Sequence, residues 1–210
     1  MKLSEQTISQ FLDKVASEEP VPGGGSIAAL AGSISAALVQ MVAGLTKGKK
    51  STFELDEVMT DLIRTASQLQ GRLLADIDRD AQAYARVMEA FRMPKNSEEE
   101  KSARGAAIQE ALQEAARVPF SVAEAGAALL RLADVAVSRG NPNAVTDGAV
   151  GALMARSAVF GALLNVRINL ASIKDKAFVE ELRHKCVLLK KEIEEKEKLI
   201  LEAADRIIDQ

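Results

Sequence analysis

The sequence predicts an all-α fold, a single bundle of long helices with two small-residue helices near its centre. Three observations carry this expectation. Apolar residues recur at intervals of three and four along nearly the whole chain. Helix start and stop signals fall between the periodic stretches. No strand-like alternation of comparable strength interrupts them. With 210 residues, 48% of them apolar and 27% charged, the chain can bury one sizeable core. No shift in composition marks a boundary, so residues 1–210 read as one domain.

The elements follow in order. Leu3 to Ala16 reads as a short amphipathic helix with Ile8, Phe11, Leu12 and Val15 on one face. A charge-free run from Pro20 to Thr46 comes next, headed by Pro22-Gly23-Gly24-Gly25-Ser26. Behind the glycines it is helical in composition and ends near Gly44 to Gly48. Leu55, Met59, Leu62, Ala66, Leu69, Leu73, Ile77, Ala81, Tyr84, Met88 and Phe91 then mark one helix stopping before Pro94. If straight it is roughly 60 Å long. Ser97 followed by Glu98-Glu99-Glu100 opens another helix, a cap followed by acids that complement the helix dipole. Pro119 is expected to kink it, and it closes around Ser138-Arg139-Gly140. Asn141-Pro142-Asn143 is a turn, followed by a second small-residue helix reaching Ala171. The last helix starts near Lys176, with Phe178, Leu182, Leu189, Ile193, Ile200 and Ile207 inward.

Composition removes several function classes. A net charge of −3 argues against a nucleic-acid binder. Cys186 is the single cysteine, which leaves no intrachain disulfide and makes a thiolate metal site improbable. The first residues lack the apolar core of a signal peptide, which fits a cytoplasmic protein. The charge-free run raises the question of a membrane span. Its glycines, its alanines and the polar Ser33, Ser35 and Gln40 assign it to a buried soluble helix instead.

Several residues are candidates for chemistry. The glycine triplet is neither a Walker A loop nor a dinucleotide fingerprint, since no Gly-Lys-Ser/Thr follows and no strand precedes it. Its amides either contact a polar ligand or admit a close neighbour. Lys47, Lys49 and Lys50 either complement the end of the glycine-rich helix or form a cationic rim. Asp76 and Asp80 lie one turn apart on one face, and Asp80 shares the inward stripe with Tyr84. Asn141, Asn143 and Asp147 fit turn and capping roles. Asn165 and Asn169 sit one turn apart on an otherwise apolar helix, where burial requires hydrogen bonds. His184, between Arg183 and Lys185, reads as a surface residue.

Several ordered blocks are similar to the cyclodeaminase/cyclohydrolase family of one-carbon folate metabolism. They are Pro22 to Ser26, Met41 to Lys50, Asp80 to Tyr84, Pro94 to Lys101, Val118-Pro119, Gly140 to Asn143 and Gly161 to Leu170. The resemblance runs nearly the whole chain. Pro142 and Thr146 depart from the common pattern, and neither removes a functional group. The resemblance implies an all-α, dimeric enzyme acting on the one-carbon unit between N5 and N10 of tetrahydrofolate, with no cofactor beyond that substrate. Lacking a formiminotransferase half, the chain resembles the stand-alone members. It is therefore expected to be a methenyltetrahydrofolate cyclohydrolase. The alternatives are a formimidoyltetrahydrofolate cyclodeaminase releasing ammonia and a non-catalytic helical dimer.

Both reactions move protons around a tetrahedral carbon, for which a carboxylate suits. Asp147, then Asp80, are the expected catalytic residues. Gly23, Gly24, Gly25 and Ser26 are expected to shape the pocket. Asn141, Asn143 and Asn165 are expected to orient water or the pterin, and Lys47, Lys49 and Lys50 to meet folate carboxylates. The expected partners are the folate substrate and a second copy of the chain, with no nucleic acid and no membrane.

Overall fold

The computed structural model describes residues 2–48 and 51–210. They form six α-helices: α1 (Ile8–Val15), α2 (Gly24–Thr46), α3 (Phe53–Arg92), α4 (Glu98–Arg139), α5 (Val145–Leu170) and α6 (Lys176–Ile208). No strand occurs among the described residues, so the expected all-α bundle is what the chain forms. α2 packs against α3 and α5, and α4 packs against the same two. α2 and α4 also touch across the diagonal, giving a four-helix core on which α6 lies against α4 and α5.

Helix ends follow their local chemistry. Ser97 caps α4 through a reciprocal box with Glu100, as the Ser-x-x-Glu pattern predicts. The N-terminal segment differs from expectation. Leu3–Glu5 is a 3-10 turn, and α1 starts only at Ile8 because Thr7 and Gln10 form their own capping box. Of the four apolar residues expected to face inward there, Phe11 is buried while Ile8 and Leu12 are exposed.

The long stripe on α3 also divides. Met59, Leu62, Ala66, Leu73 and Ile77 are buried, whereas Tyr84 and Phe91 are exposed. α2 and α3 run antiparallel, with Gly32 against Leu73 and Gly25 against Asp80. Past Asp80, α3 runs beyond the start of α2 and buries Ala83, Val87 and Ala90, with α4 alongside, where Arg104 donates to Phe91 O at 3.0 Å.

Small residues set the spacing at the centre. A Cβ on Gly126 of α4 would lie 2.8 Å from Val159 Cγ2 and 3.2 Å from the Ala155 carbonyl of α5. Such an approach gives dispersion contact along the whole helix pair. α2 and α5 are each long and apolar enough to cross a bilayer, but in the bundle they bury their small-residue faces against one another. Gly151 meets Leu38 and Gly161 meets Ala28.

α4 runs through Pro119 as one helix. Proline lacks the N–H that would bond the carbonyl four residues earlier, here that of Ala115. Asn169 of α5 replaces it, its Nδ2 donating to Ala115 O at 2.7 Å. An asparagine on an apolar helix thus repairs a backbone defect on its neighbour. Replacing Asn169 with alanine is expected to cost about 1–3 kcal/mol in urea denaturation, because a buried carbonyl loses its donor. In a Pro119→Ala background the same change should cost less, since residue 119 then supplies the missing amide.

Candidate functional site

The first turn of α2 brings three helices to one point. Gly23 is its N-cap and supplies no side chain to the leading amides, which lack intrahelical partners. The Asp80 carboxylate of α3 occupies that place. A Cβ built on Gly25 would overlap the carboxylate, so glycine here makes room for Asp80. On the other side stands Asn165 of α5, whose Nδ2 is 3.1 Å from a Cβ built on Gly24. That Nδ2 donates to Gly161 O at 2.9 Å, which fixes the amide.

Ser26 links the two protonation states of Asp80. Its buried Oγ lies 2.9 Å from Ile77 O and 3.1 Å from Asp80 Oδ2. A hydroxyl has one proton to give and lone pairs to accept. When Asp80 is ionised, Ser26 donates to it. When Asp80 is protonated, the carboxyl donates to Ser26 and the hydroxyl turns to Ile77 O. Both states are satisfied, as a group that takes up and returns a proton requires.

Burial pushes the Asp80 carboxyl up from 3.8; the Ser26 hydroxyl and amide oppose this, and the charge of Asp76 adds to it. The three aspartates of this stretch therefore have separate fates. Asp78 accepts from Leu3 N at 2.7 Å and Ser4 Oγ at 2.6 Å, pinning the N-terminal turn to α3. Asp76 is wholly buried, with Arg79 Nη1 at 2.6 Å from its Oδ1. Sequence reasoning placed no role on Asp76; its signal was the one-turn spacing to Asp80, flanked by Arg72 and Arg79.

The remaining candidates within the described residues stand at the opposite end of the bundle. Asn141 donates from Nδ2 to Leu45 O at 3.2 Å and accepts from Asn143 N at 3.0 Å. Its own amide donates to Thr46 Oγ1 at 2.9 Å. These bonds close the C-terminus of α2 and shape the turn into α5. Asn143 is exposed, and Lys47 donates from Nζ to Thr60 Oγ1 at 2.7 Å. Asp147 is half-buried in the first turn of α5. About five helical turns, roughly 27 Å, separate it from Asn165 along α5. Lys49 and Lys50 lie outside the described residues. Within one chain, Gly23, Gly24, Gly25, Ser26, Asp80 and Asn165 come together, and Lys47, Asn141, Asn143 and Asp147 do not join them.

Comparison with known proteins follows the same lines. Residues 7–187 match the family model described as formiminotransferase-cyclodeaminase. A methenyltetrahydrofolate cyclohydrolase of Methylorubrum extorquens is 40% identical over 84% of this chain and 85% of its own length. A mouse formimidoyltransferase-cyclodeaminase is 34% identical over 95% of this chain, which spans only 37% of that protein. In structure, formiminotetrahydrofolate cyclodeaminase from Thermotoga maritima superposes with a TM-score of 0.88, at 26% identity, covering 99% of this chain and 100% of that one.

The raised titration of Asp80 has a consequence for stability. The folded carboxyl holds its proton to higher pH than the unfolded one, so the native state binds more protons above pH 3.8. Stability then falls as pH rises from the unfolded value through the folded one. Asp80→Asn removes that penalty and is expected to raise the unfolding temperature at pH 7. Thermal unfolding at several pH values checks this: the gain should shrink as pH drops towards 3.8.

Proposed function

The chain belongs to the formiminotransferase-cyclodeaminase family, and on that premise we propose that it is a methenyltetrahydrofolate cyclohydrolase with Asp80 as its general base. The observation that carries this reading is the half-buried Asp80 carboxylate at the glycine entry, with a serine able to serve both its protonation states. The 40% identity to a cyclohydrolase that this chain matches over most of its length favours that activity. The formimidoyltransferase-cyclodeaminases are longer proteins, of which this chain corresponds to about a third.

The chemistry fits such a group. The substrate is a cationic amidine whose carbon bridges N5 and N10. Its charge lowers the carboxyl titration on binding, so Asp80 enters the reaction ionised. Asp80 takes a proton as water adds to the amidine carbon. The tetrahedral intermediate then opens by breaking the bond to N5, which receives a proton, and the formyl group stays on N10. Asn165 and the Gly24 backbone would border the ring. Cyclodeaminase chemistry at the same carbon has N10 attack and ammonia leave, and needs the same proton carrier.

The partner we propose is a second copy of the chain. Ile34, Met41 and Leu45 of α2 are exposed at helical spacing, as are Val150, Leu153, Leu164 and Ile168 of α5. Helix geometry places both sets on one side of the α2–α5 pair, with no charge on α2 and the exposed Arg167 of α5 at the edge of the set. A self-complementary patch of this kind suits a two-fold contact. An axis through its middle would carry Lys47, Asn141, Asn143 and Asp147 of one protomer to the Asp80 end of the other. Lys47 is then available to the substrate's carboxylates, in a cytoplasmic enzyme needing no cofactor beyond its folate.

Two measurements test these readings. Turnover of methenyl- and formiminotetrahydrofolate should favour the former, and Asp80→Asn should lower kcat by about 10²-fold or more. An Asp80→Asn enzyme with wild-type turnover removes Asp80 from the role and leaves Asp147 to be tried. Separately, Met41→Glu with Leu153→Glu should convert a dimer into a folded monomer by light scattering, with loss of turnover if the site spans the interface.

A further inference from the structure

Asp76 is the least explained group in the described structure. It is the one carboxylate with no exposed surface, and its Oδ2 has no hydrogen-bond partner. Arg79 bonds Oδ1 at 2.6 Å, while Arg72 Nε stands 3.8 Å from Oδ2. Arg79 also reaches Glu114 of α4 at 3.7 Å. Both arginines are about half exposed, so water screens their charge more than it screens that of Asp76. As a stabilising device the arrangement is poor, because an apolar residue in such a place is often as stable or more so. A buried acceptor left open calls for another reason.

The reason lies one turn along α3. We propose that Asp76 is a positioning residue for the Asp80 base, a buried carboxylate held between Arg72 and Arg79 that acts on the Asp80 carboxylate through one helical turn. Burial pushes the Asp76 carboxyl up, and the charges of Arg79 and Arg72 oppose that and favour its ionised form. Residues at this spacing face one another on a helix. The other elements around Asp80 supply no competing charge. α2 has no charged residue between Gly24 and Thr46 and offers Ser26. α5 offers the neutral Asn165. From α4, Glu114 is directed to Arg79. On α3 itself, Asp78 is engaged by the N-terminal turn, and Tyr84 follows one turn later. Burial and Ser26 act on Asp80 first, and Asp76, held in the Arg72–Asp76–Arg79–Glu114 chain, is the charged group that adds to them. The negative charge of Asp76 reinforces what burial does to Asp80. A base whose proton affinity sits closer to working pH transfers protons in both directions more readily. The inference rests on the reading of Asp80 as the base, and it concerns what tunes that base.

The test reads Asp80 directly. Carboxyl carbon-13 NMR of the intact protein gives the Asp80 titration, assigned by the signal lost in Asp80→Asn, alongside the pH profile of kcat/KM. Asp76→Asn should move the Asp80 midpoint down by roughly half a unit to two units, the range expected for one unit charge across a helical turn. Arg79→Gln should move it up, because Asp76 then acts with less compensation. A structural role alone predicts no such opposed pair. A midpoint unmoved in both variants, or moved the same way in both, overturns the proposal. Should Asp76→Asn not fold, Arg79→Gln decides alone by the direction of its shift. If the midpoint moves as expected but the acid limb of kcat/KM stays fixed, the base assignment fails and the action of Asp76 on Asp80 stands.

Discussion

The first turn of a helix presents amides that its own backbone cannot satisfy, and at the start of α2 a carboxylate from α3 stands against Gly25 and accepts from the Ser26 hydroxyl. This placement makes demands on the rest of the molecule. Position 25 has to be glycine, because any side chain there would displace Asp80. α3 has to approach α2 closely enough for Ser26 to bond both Ile77 O and Asp80. Gly32, two turns along α2 on the same face as Gly25, keeps that approach close, since a Cβ there would press on Leu73 of α3. Small-residue composition and site are thus two parts of one arrangement, the first holding the helices near and the second using the end where they converge.

The asparagines obey a related rule. Burying an amide on an apolar helix costs free energy unless it is hydrogen-bonded. Asn169 bonds the carbonyl that Pro119 leaves free, and Asn141 bonds the last turn of α2. Each answers a backbone need created elsewhere in the chain. Asn165 differs, since it bonds only the preceding turn of its own helix and stands beside Gly24. Of these three amides it is the one whose position is not explained by a distant backbone defect, which is why it belongs with Asp80.

A site that holds a carboxylate partly out of water stores free energy that the fold has to supply. The bundle can do so because its centre is densely packed, with Val39, Val42, Leu129, Leu130 and Val159 fully buried among alanines. Hydrophobic burial over several long helices outweighs a few costly polar groups. The reaction proposed for the chain needs a proton carrier and no covalent nucleophile from the enzyme. The scarcity of histidine and cysteine in the sequence is consistent with that chemistry.

The sequence by itself determined the helices, their order and most of their ends, because apolar spacing and caps are local. The Ser97 box and the turn at Asn141 stand where the residues place them. It also drew attention to the glycines, Asp80 and Asn165 through their oddity in apolar surroundings. Asp76, Asp78 and Asp80 look alike in sequence, yet one is buried between arginines, one pins the N-terminal turn and one enters the site. Tyr84 and Phe91 keep the stripe of α3 but lie exposed, since where α2 begins decides where α3 has a neighbour. Helix rise alone puts Asp147 and Asn165 about 27 Å apart along α5, and the antiparallel pairing of α2 with α5 decides that Asn165 is the one beside the glycine entry. Local periodicity fixes which residues share a face. Only the packing of one helix on another, settled by long-range contact, decides which faces and which ends meet.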